Sequence, residues 1–170
     1  MKKISIRLVL LFILLVFLQV WLLGNIHLFG IATPLLYIYF IIKLPVNMNR
    51  NIVLCLSALL GFIIDIFSGT LGLCMFVMII VGFLRYYLLK LFAPRDIFED
   101  SMPSFSTFGK LLFIRYAGGT ALIYIFLLYL VESFSLFTPL LLFLRIIGSF
   151  TLTILLIFAF ESLSVDVFKK

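Results

Sequence analysis

Charge is scarce in this sequence, and so are the residues that most often carry catalytic chemistry. Only 12% of the 170 residues are charged, and there are one histidine and two cysteines. Soluble domains carry about 25% charged residues, so this chain has too little polar surface to cover a water-facing exterior. A 65% apolar composition and a mean hydropathy of +1.36 instead indicate an integral membrane protein with little mass outside the bilayer.

The scarcity of reactive groups excludes several classes of function. His27 stands alone in a short link, and Cys55 and Cys74 lie within apolar runs without metal-ligand or CxxC spacing. The sequence has no Ser/His/Asp set, no nucleotide-binding GxxxxGK[ST] motif and no paired carboxylates on one segment face. We therefore predict a protein that is not an enzyme and that binds no metal or cofactor.

Six apolar runs separated by short links predict an all-α membrane bundle of six transmembrane helices within one domain, residues 1–170. The predicted spans are 5–24, 32–44, 51–67, 71–92, 111–131 and 137–160. The second span is short, because 13 helical residues rise only about 20 Å against a hydrocarbon core of about 30 Å. Thr33 and Pro34 predict its helix start, and it either thins the bilayer, with Lys43 reaching the headgroups, or lies partly inside the bundle.

Basic residues predict the orientation of the bundle. Twelve of the thirteen lie at or near the side that holds both termini, whereas the three opposite links contain none. This asymmetry predicts cytoplasmic N and C termini. The net charge of +6 is then a topology and headgroup signal and does not indicate nucleic-acid binding. The cytoplasmic loop 93–110 is interpreted either as a mobile connector with aromatic anchors or as a small docking surface.

Asp65 is the carboxylate that most needs an explanation. Ser57, Gly61 and Asp65 are spaced by four, so they share one helix face on which a neighbouring backbone can come close. Two interpretations of Asp65 stay open. Either this is a packing face that presents the carboxylate, or Asp65 merely caps the next helix or lies in the wet interface. Gly72 closes the following turn.

Two arginines lie inside predicted spans. Arg85 is interpreted as a side chain that reaches the headgroups from about 10 Å inside the fourth span. Arg145 lies on a polar face of the sixth span. Because charges within membranes tend to pair, we predict an ion pair between Arg145 and Asp65 near the outer leaflet.

Several stretches of the sequence match a known pattern in order, spacing and length. They are NIHLFGIATPLLYIYF at 25–40, GFIID at 61–65, the glycine turn at 69–72, and FLRYYLLKLF at 83–92 leading into Pro94, Arg95 and Asp96. With these stretches the sequence resembles the rod shape-determining protein family MreD, in the form found in Bacteroidetes-like bacteria. The resemblance covers nearly the whole chain.

The resemblance implies a non-enzymatic scaffold subunit of the cell-elongation (rod) complex in the bacterial inner membrane, supporting peptidoglycan synthesis and cell shape. Its implied partners are a single-span MreC-like protein, an MreB-like filament, a RodA-like glycosyltransferase and a penicillin-binding transpeptidase. We expect the MreC-like helix to pack in a groove of the bundle and to touch the outer rim near Asp65, Gly61 and Gly72. The family's fold looks similar to the substrate-binding subunit of energy-coupling-factor transporters, so the alternative function is a vitamin-type small-molecule binding subunit.

Overall fold

The computed structural model describes residues 2–23, 33–70, 72–93, 101–132 and 139–167, and these form helices and connecting segments. Seven α-helices occur in this described part of the chain. They are α1 (Lys2–Leu18, continued by a π-helical turn, Gln19–Leu23), α2 (Ile38–Lys43), α3 (Arg50–Ser68), α4 (Leu73–Phe92), α5 (Phe105–Phe108), α6 (Lys110–Glu132) and α7 (Pro139–Val167).

Four of these helices are long and apolar enough to cross a membrane. They are α3, α4, α6 and the part of α7 at Leu142–Leu163. They correspond to the predicted spans 51–67, 71–92, 111–131 and 137–160, so the all-helical membrane architecture is confirmed for this part of the chain. The apolar part of α1, Ile6–Trp21, is shorter. Along the bundle, α3 packs on α4, α4 on α6, and α6 on α7.

The α3–α4 hairpin is built on the predicted small-residue face. A β-carbon added at Gly61 would lie 2.5 Å from the Cα of Met75, and one added at Gly82 would lie 2.6 Å from the hydroxyl oxygen of Ser57. The two helices therefore touch through backbone and small side chains. This confirms the close-packing face and shows that it packs against α4 of the same chain.

Residues 33–45, here called the central segment, run through the interior of the bundle. Residues 33–35 have no regular secondary structure, a turn follows at residues 36–37, and α2 comes next. Every residue from Pro34 to Leu44 is buried. The predicted helix start at Thr33 and Pro34 is wrong, since α2 begins at Ile38. Residues 33–35 are instead stabilised by side chains from distant helices.

Candidate functional site

The non-helical start of the central segment is held by hydroxyl groups of α6 and α7. The backbone N–H of Thr33 donates to Ser149 Oγ at 3.1 Å, and that of Leu35 donates to Thr153 Oγ1 at 3.2 Å. The hydroxyl group of Tyr129 lies 2.9 Å from Thr33 Oγ1 and 2.7 Å from Ser149 Oγ. The polar face noted along the sixth predicted span therefore binds backbone of the same chain.

The side-chain amide of Gln19 completes this support from α1. Its Nε2 donates to the carbonyl oxygen of Pro34 at 2.9 Å, and its Oε1 accepts from the N–H of Leu36 at 3.1 Å. An amide side chain can replace a neighbouring strand because it both donates and accepts. In a nonpolar interior, unpaired backbone groups cost several kcal/mol each, so these bonds explain how non-helical backbone persists here.

The other end of the central segment contains a buried ion pair that the sequence reading missed. Lys43 Nζ lies 2.7 Å from Glu161 Oε2 and donates to Oε1 at 2.9 Å. The hydroxyl group of Tyr39 also donates to Oε2, at 2.6 Å, and the N–H of Phe105 donates to Oε1 at 3.2 Å. Of the two alternatives for this span, a position inside the bundle is the one observed, because Lys43 is buried and α7 brings a carboxylate into the core beside it.

Arg85 holds the same end of the central segment. Its Nε donates to the carbonyl oxygen of Ile41 at 3.0 Å, and its Nη2 donates to the carbonyl oxygens of Leu44 and Pro45. Only 3% of Arg85 is exposed, so the predicted extension to the headgroups is wrong. The last carbonyl groups of a helix carry partial negative charge and have no partner within the helix, which explains why α2 attracts the guanidinium group.

Asp65 joins α3 to α4. Its Oδ1 accepts from the N–H of Cys74 at 2.9 Å and from the Thr70 hydroxyl, and its Oδ2 accepts from the N–H of Met75 at 2.8 Å. The residue is buried, and it caps the first turn of α4, where a negative charge is favourable. The capping interpretation is supported, on the same face that packs against α4. Asp65 has no oxygen left without a partner.

The predicted ion pair between Asp65 and Arg145 is wrong. Arg145 Nη1 instead lies 3.7 Å from Glu132 Oε1, and the side chains of this pair are 33% and 44% exposed. Glu132 ends α6 and Arg145 lies in the first part of α7, so the chain brings them together locally. The carboxylate of Asp65 already accepts hydrogen bonds from Thr70 in the adjacent turn and from the start of α4.

A hydroxyl and thiol contact connects the central segment to the Asp65 turn. The hydroxyl groups of Tyr37 and Tyr124 are hydrogen-bonded, and Tyr37 also donates to Cys74 Sγ at 3.8 Å. The Thr70 hydroxyl lies 3.9 Å from the same sulfur. The polar interior is therefore one network with the central segment in its middle.

The predicted site residues thus fall into separate places. Ser57, Gly61 and Asp65 lie together in the α3–α4 contact, and Arg85 lies at the Lys43 end of the central segment. Gly72 precedes α4 with a φ of +75°, a left-handed conformation that favours glycine, and has open space around it. Gly72 therefore serves the turn.

The second half of the loop 93–110 is anchored in the bundle. Phe105 packs its ring against Phe113 and Phe158, with centroids 5.0 Å and 5.3 Å away, and Phe108 is buried. These rings are part of the core and are not interface anchors. The acidic residues 96, 99 and 100, like His27, lie outside the described residues.

The outward surface of α1 is a row of large apolar side chains. Leu8, Leu15 and Gln19 form the buried side of this helix. On the opposite side, four exposed residues line a shallow apolar groove: Ile6, Val9, Leu10 and Ile13. The groove offers shape and apolar contact, and its walls hold no reactive group.

Comparison of the chain with models of protein families, with curated proteins and with solved structures found no match in any of the three. Within the described residues, no group of three or more His, Cys, Asp or Glu side chains is placed to hold a metal ion. The four long apolar helices indicate a protein that associates with a lipid bilayer.

Proposed function

We propose that this chain is a non-enzymatic scaffold subunit of the bacterial cell-elongation complex, of the MreD type, in the inner membrane. One observation carries the proposal: the buried polar side chains bind the chain's own central segment, and the outward helix faces are apolar. A bundle built in this way meets its partners through helix faces in the bilayer. The resemblance of the sequence to the MreD family supplies the complex and the partners.

The proposal includes six membrane crossings with both termini in the cytoplasm, in a fold similar to energy-coupling-factor binding subunits. The α1 helix and its π-helical turn, Lys2–Leu23, are together about 33 Å long, enough for one crossing. The central segment meets α7 first at Ser149 and last at Glu161, positions about 18 Å apart along a helix. Because residues 33–35 are not helical, each can rise by up to about 3.3 Å, more than the roughly 1.5 Å of an α-helix, and so short a segment can then cover this depth.

We place the MreC-like partner on the groove of α1, away from the rim near Asp65. Asp65 is fully hydrogen-bonded within the chain, and Gly61 is covered by α4, so neither is available to a partner. The α1 groove accepts a large apolar side chain from a single transmembrane helix. Van der Waals packing of this kind is the main source of helix association in lipid. The MreB-like filament, the RodA-like glycosyltransferase and the transpeptidase then associate with this pair.

A vitamin-type binding subunit is supported less well. Such a protein needs a cavity between its helices, whereas among the described residues the interior of the bundle is occupied by the central segment. From Leu36 to Ile42 the central segment is at most 1% exposed. The interior of the bundle therefore favours a role in assembly over a role in ligand capture.

The proposal is tested by co-expressing the tagged chain with the MreC-like protein of the same genome and measuring co-purification. Val9→Trp fills the α1 groove and should lower recovery of the partner at least tenfold. The control is Leu155→Trp, at a position on α7 that is 66% exposed. Equal recovery with both folded variants would contradict the α1 site. Absence of the partner from the wild-type preparation, with a melting temperature raised by a vitamin, would favour the alternative function.

A further inference from the structure

Besides the α1 groove, a second outward surface lies at the end of the α3–α4 hairpin that is opposite its glycine turn. Contacts of Gly61 with Met75 and of Ser57 with Gly82 place the start of α3 beside the end of α4. While Arg85 points into the core, its neighbours on α4 point outward. The surface, here called the cation–aromatic patch, consists of Arg50, Phe83, Tyr86, Tyr87 and Lys90.

The patch combines fixed rings with two exposed cations. The guanidinium carbon of Arg50 lies 3.7 Å from the centroid of the Tyr86 ring. The rings of Phe83 and Tyr87 are 6.0 Å apart, and those of Tyr86 and Tyr87 are 5.6 Å apart. Lys90 follows Tyr86 by one helical turn and is exposed. The ion pairs of the described residues, Lys43–Glu161 and Arg145–Glu132, involve neither cation of the patch.

We propose that the cation–aromatic patch binds the headgroup of an anionic phospholipid. A phosphate diester matches two cations that carry no ion pair with a described carboxylate, and the Tyr86 ring holds Arg50 in position before binding. Half-exposed tyrosines are typical of the headgroup region, where one side of the ring is apolar and the hydroxyl group is wet.

The apolar surface beyond the patch fits the same ligand. From Phe83, which is 52% exposed at the inner edge of the patch, the apolar surface continues to Phe76, which is 57% exposed two turns further along α4. A lipid has charge at one end and hydrocarbon beyond it, as this face does. An acidic protein segment would match the two cations but not the apolar surface beside them. The proposal does not depend on the MreD-type function, and the proposed orientation places the site in the cytoplasmic leaflet.

The experiment is native mass spectrometry of the purified full-length chain in detergent, titrated with phosphatidylglycerol or phosphatidylcholine. We expect phosphatidylglycerol to bind more tightly. Each cation near a headgroup contributes roughly fivefold in affinity, so Arg50→Gln with Lys90→Gln should weaken phosphatidylglycerol binding about twentyfold. Tyr86→Leu, which removes the ring that positions Arg50, should weaken it a few-fold.

The matched control is Lys110→Gln with Arg115→Gln, which removes two exposed charges from α6. It should retain wild-type affinity for phosphatidylglycerol. Equal loss in both double variants, or equal binding of the two lipids by the wild-type chain, would overturn the site. So would a patch variant that keeps its lipid affinity but no longer recovers the MreC-like protein, because the patch would then be a protein interface. Melting temperatures measured alongside confirm that each variant is folded.

Discussion

The α3–α4 hairpin and the central segment are held together in different ways. The hairpin joins neighbours in sequence through small residues, two left-handed glycines and a carboxylate that caps the next helix. The central segment is held by polar side chains 96 to 122 residues away on α6 and α7. Local packing needs little from the rest of the chain, whereas the central segment depends on the whole bundle being assembled. Variants in the two regions should therefore fail differently.

The largest effect is expected from Glu161→Gln. The substitution leaves Lys43 buried without a counter-charge, which should cost about 3–5 kcal/mol of unfolding free energy. Thermal unfolding in detergent measures it. Replacing both partners, Lys43→Met with Glu161→Leu, should recover most of the loss, because no charge then remains to be buried. A double variant as unstable as the single one would show that the pair is not what the central segment needs.

Gly61→Val tests the hairpin. The added β-carbon meets the backbone of Met75, so α3 and α4 must separate, at a cost of about 1–3 kcal/mol or more. The matched control is Gly118→Ala on α6, whose nearest neighbour would be an ordinary contact with Ile154 at 4.0 Å. Equal melting temperatures for the two variants would argue against a backbone contact between α3 and α4.

Asp65→Asn should have a smaller, local effect. The amide keeps one acceptor oxygen of two and loses the charge that favours the start of α4, so we expect a loss of about 1 kcal/mol. Hydrogen exchange should accelerate at the amides of Cys74 and Met75. Protection at the Lys43 end of the central segment should stay unchanged. Acceleration throughout the bundle would contradict a local cap.

Arg145→Gln should have the smallest effect. Its pair with Glu132 is partly exposed, and such pairs contribute about 0.2–1 kcal/mol before further screening by salt. In a double-mutant cycle, Arg145→Gln and Asp65→Asn should add to within about 0.5 kcal/mol, as distant sites do. A larger coupling energy would support the ion pair between Arg145 and Asp65 that the sequence predicts.

The features that can be predicted from this sequence are those determined by the spacing of residues a few positions apart. The face of Ser57, Gly61 and Asp65 follows from helical periodicity, and a carboxylate just before a glycine turn is a natural cap for the next helix. Four apolar runs were long enough to be recognised as helices that can cross a membrane. Each of these features depends on residues a few positions apart.

The central segment could not be predicted in the same way. The pair of Lys43 and Glu161 is not predictable from the sequence, because nothing there connects positions 118 residues apart. The sequence predicts that Arg85 reaches the headgroups, because it does not show where α2 ends. The carbonyl groups that Arg85 binds become available only at that end. Thr33 and Pro34 favour a helix start, whereas hydrogen bonds from Gln19, Tyr129 and the hydroxyls of α7 hold these residues in a non-helical form.

A disulfide between Thr33→Cys and Ser149→Cys tests most directly whether the central segment lies inside the bundle. The chain would carry Cys55→Ala and Cys74→Ala, and the thiols would be oxidised in native membranes. The backbone N–H of Thr33 donates to Ser149 Oγ at 3.1 Å, so the two residues are neighbours and we expect a cross-link. Thr33→Cys with Thr151→Cys, at an exposed position on α7, should not cross-link. Equal cross-linking of both pairs, or none at Ser149, would contradict the account.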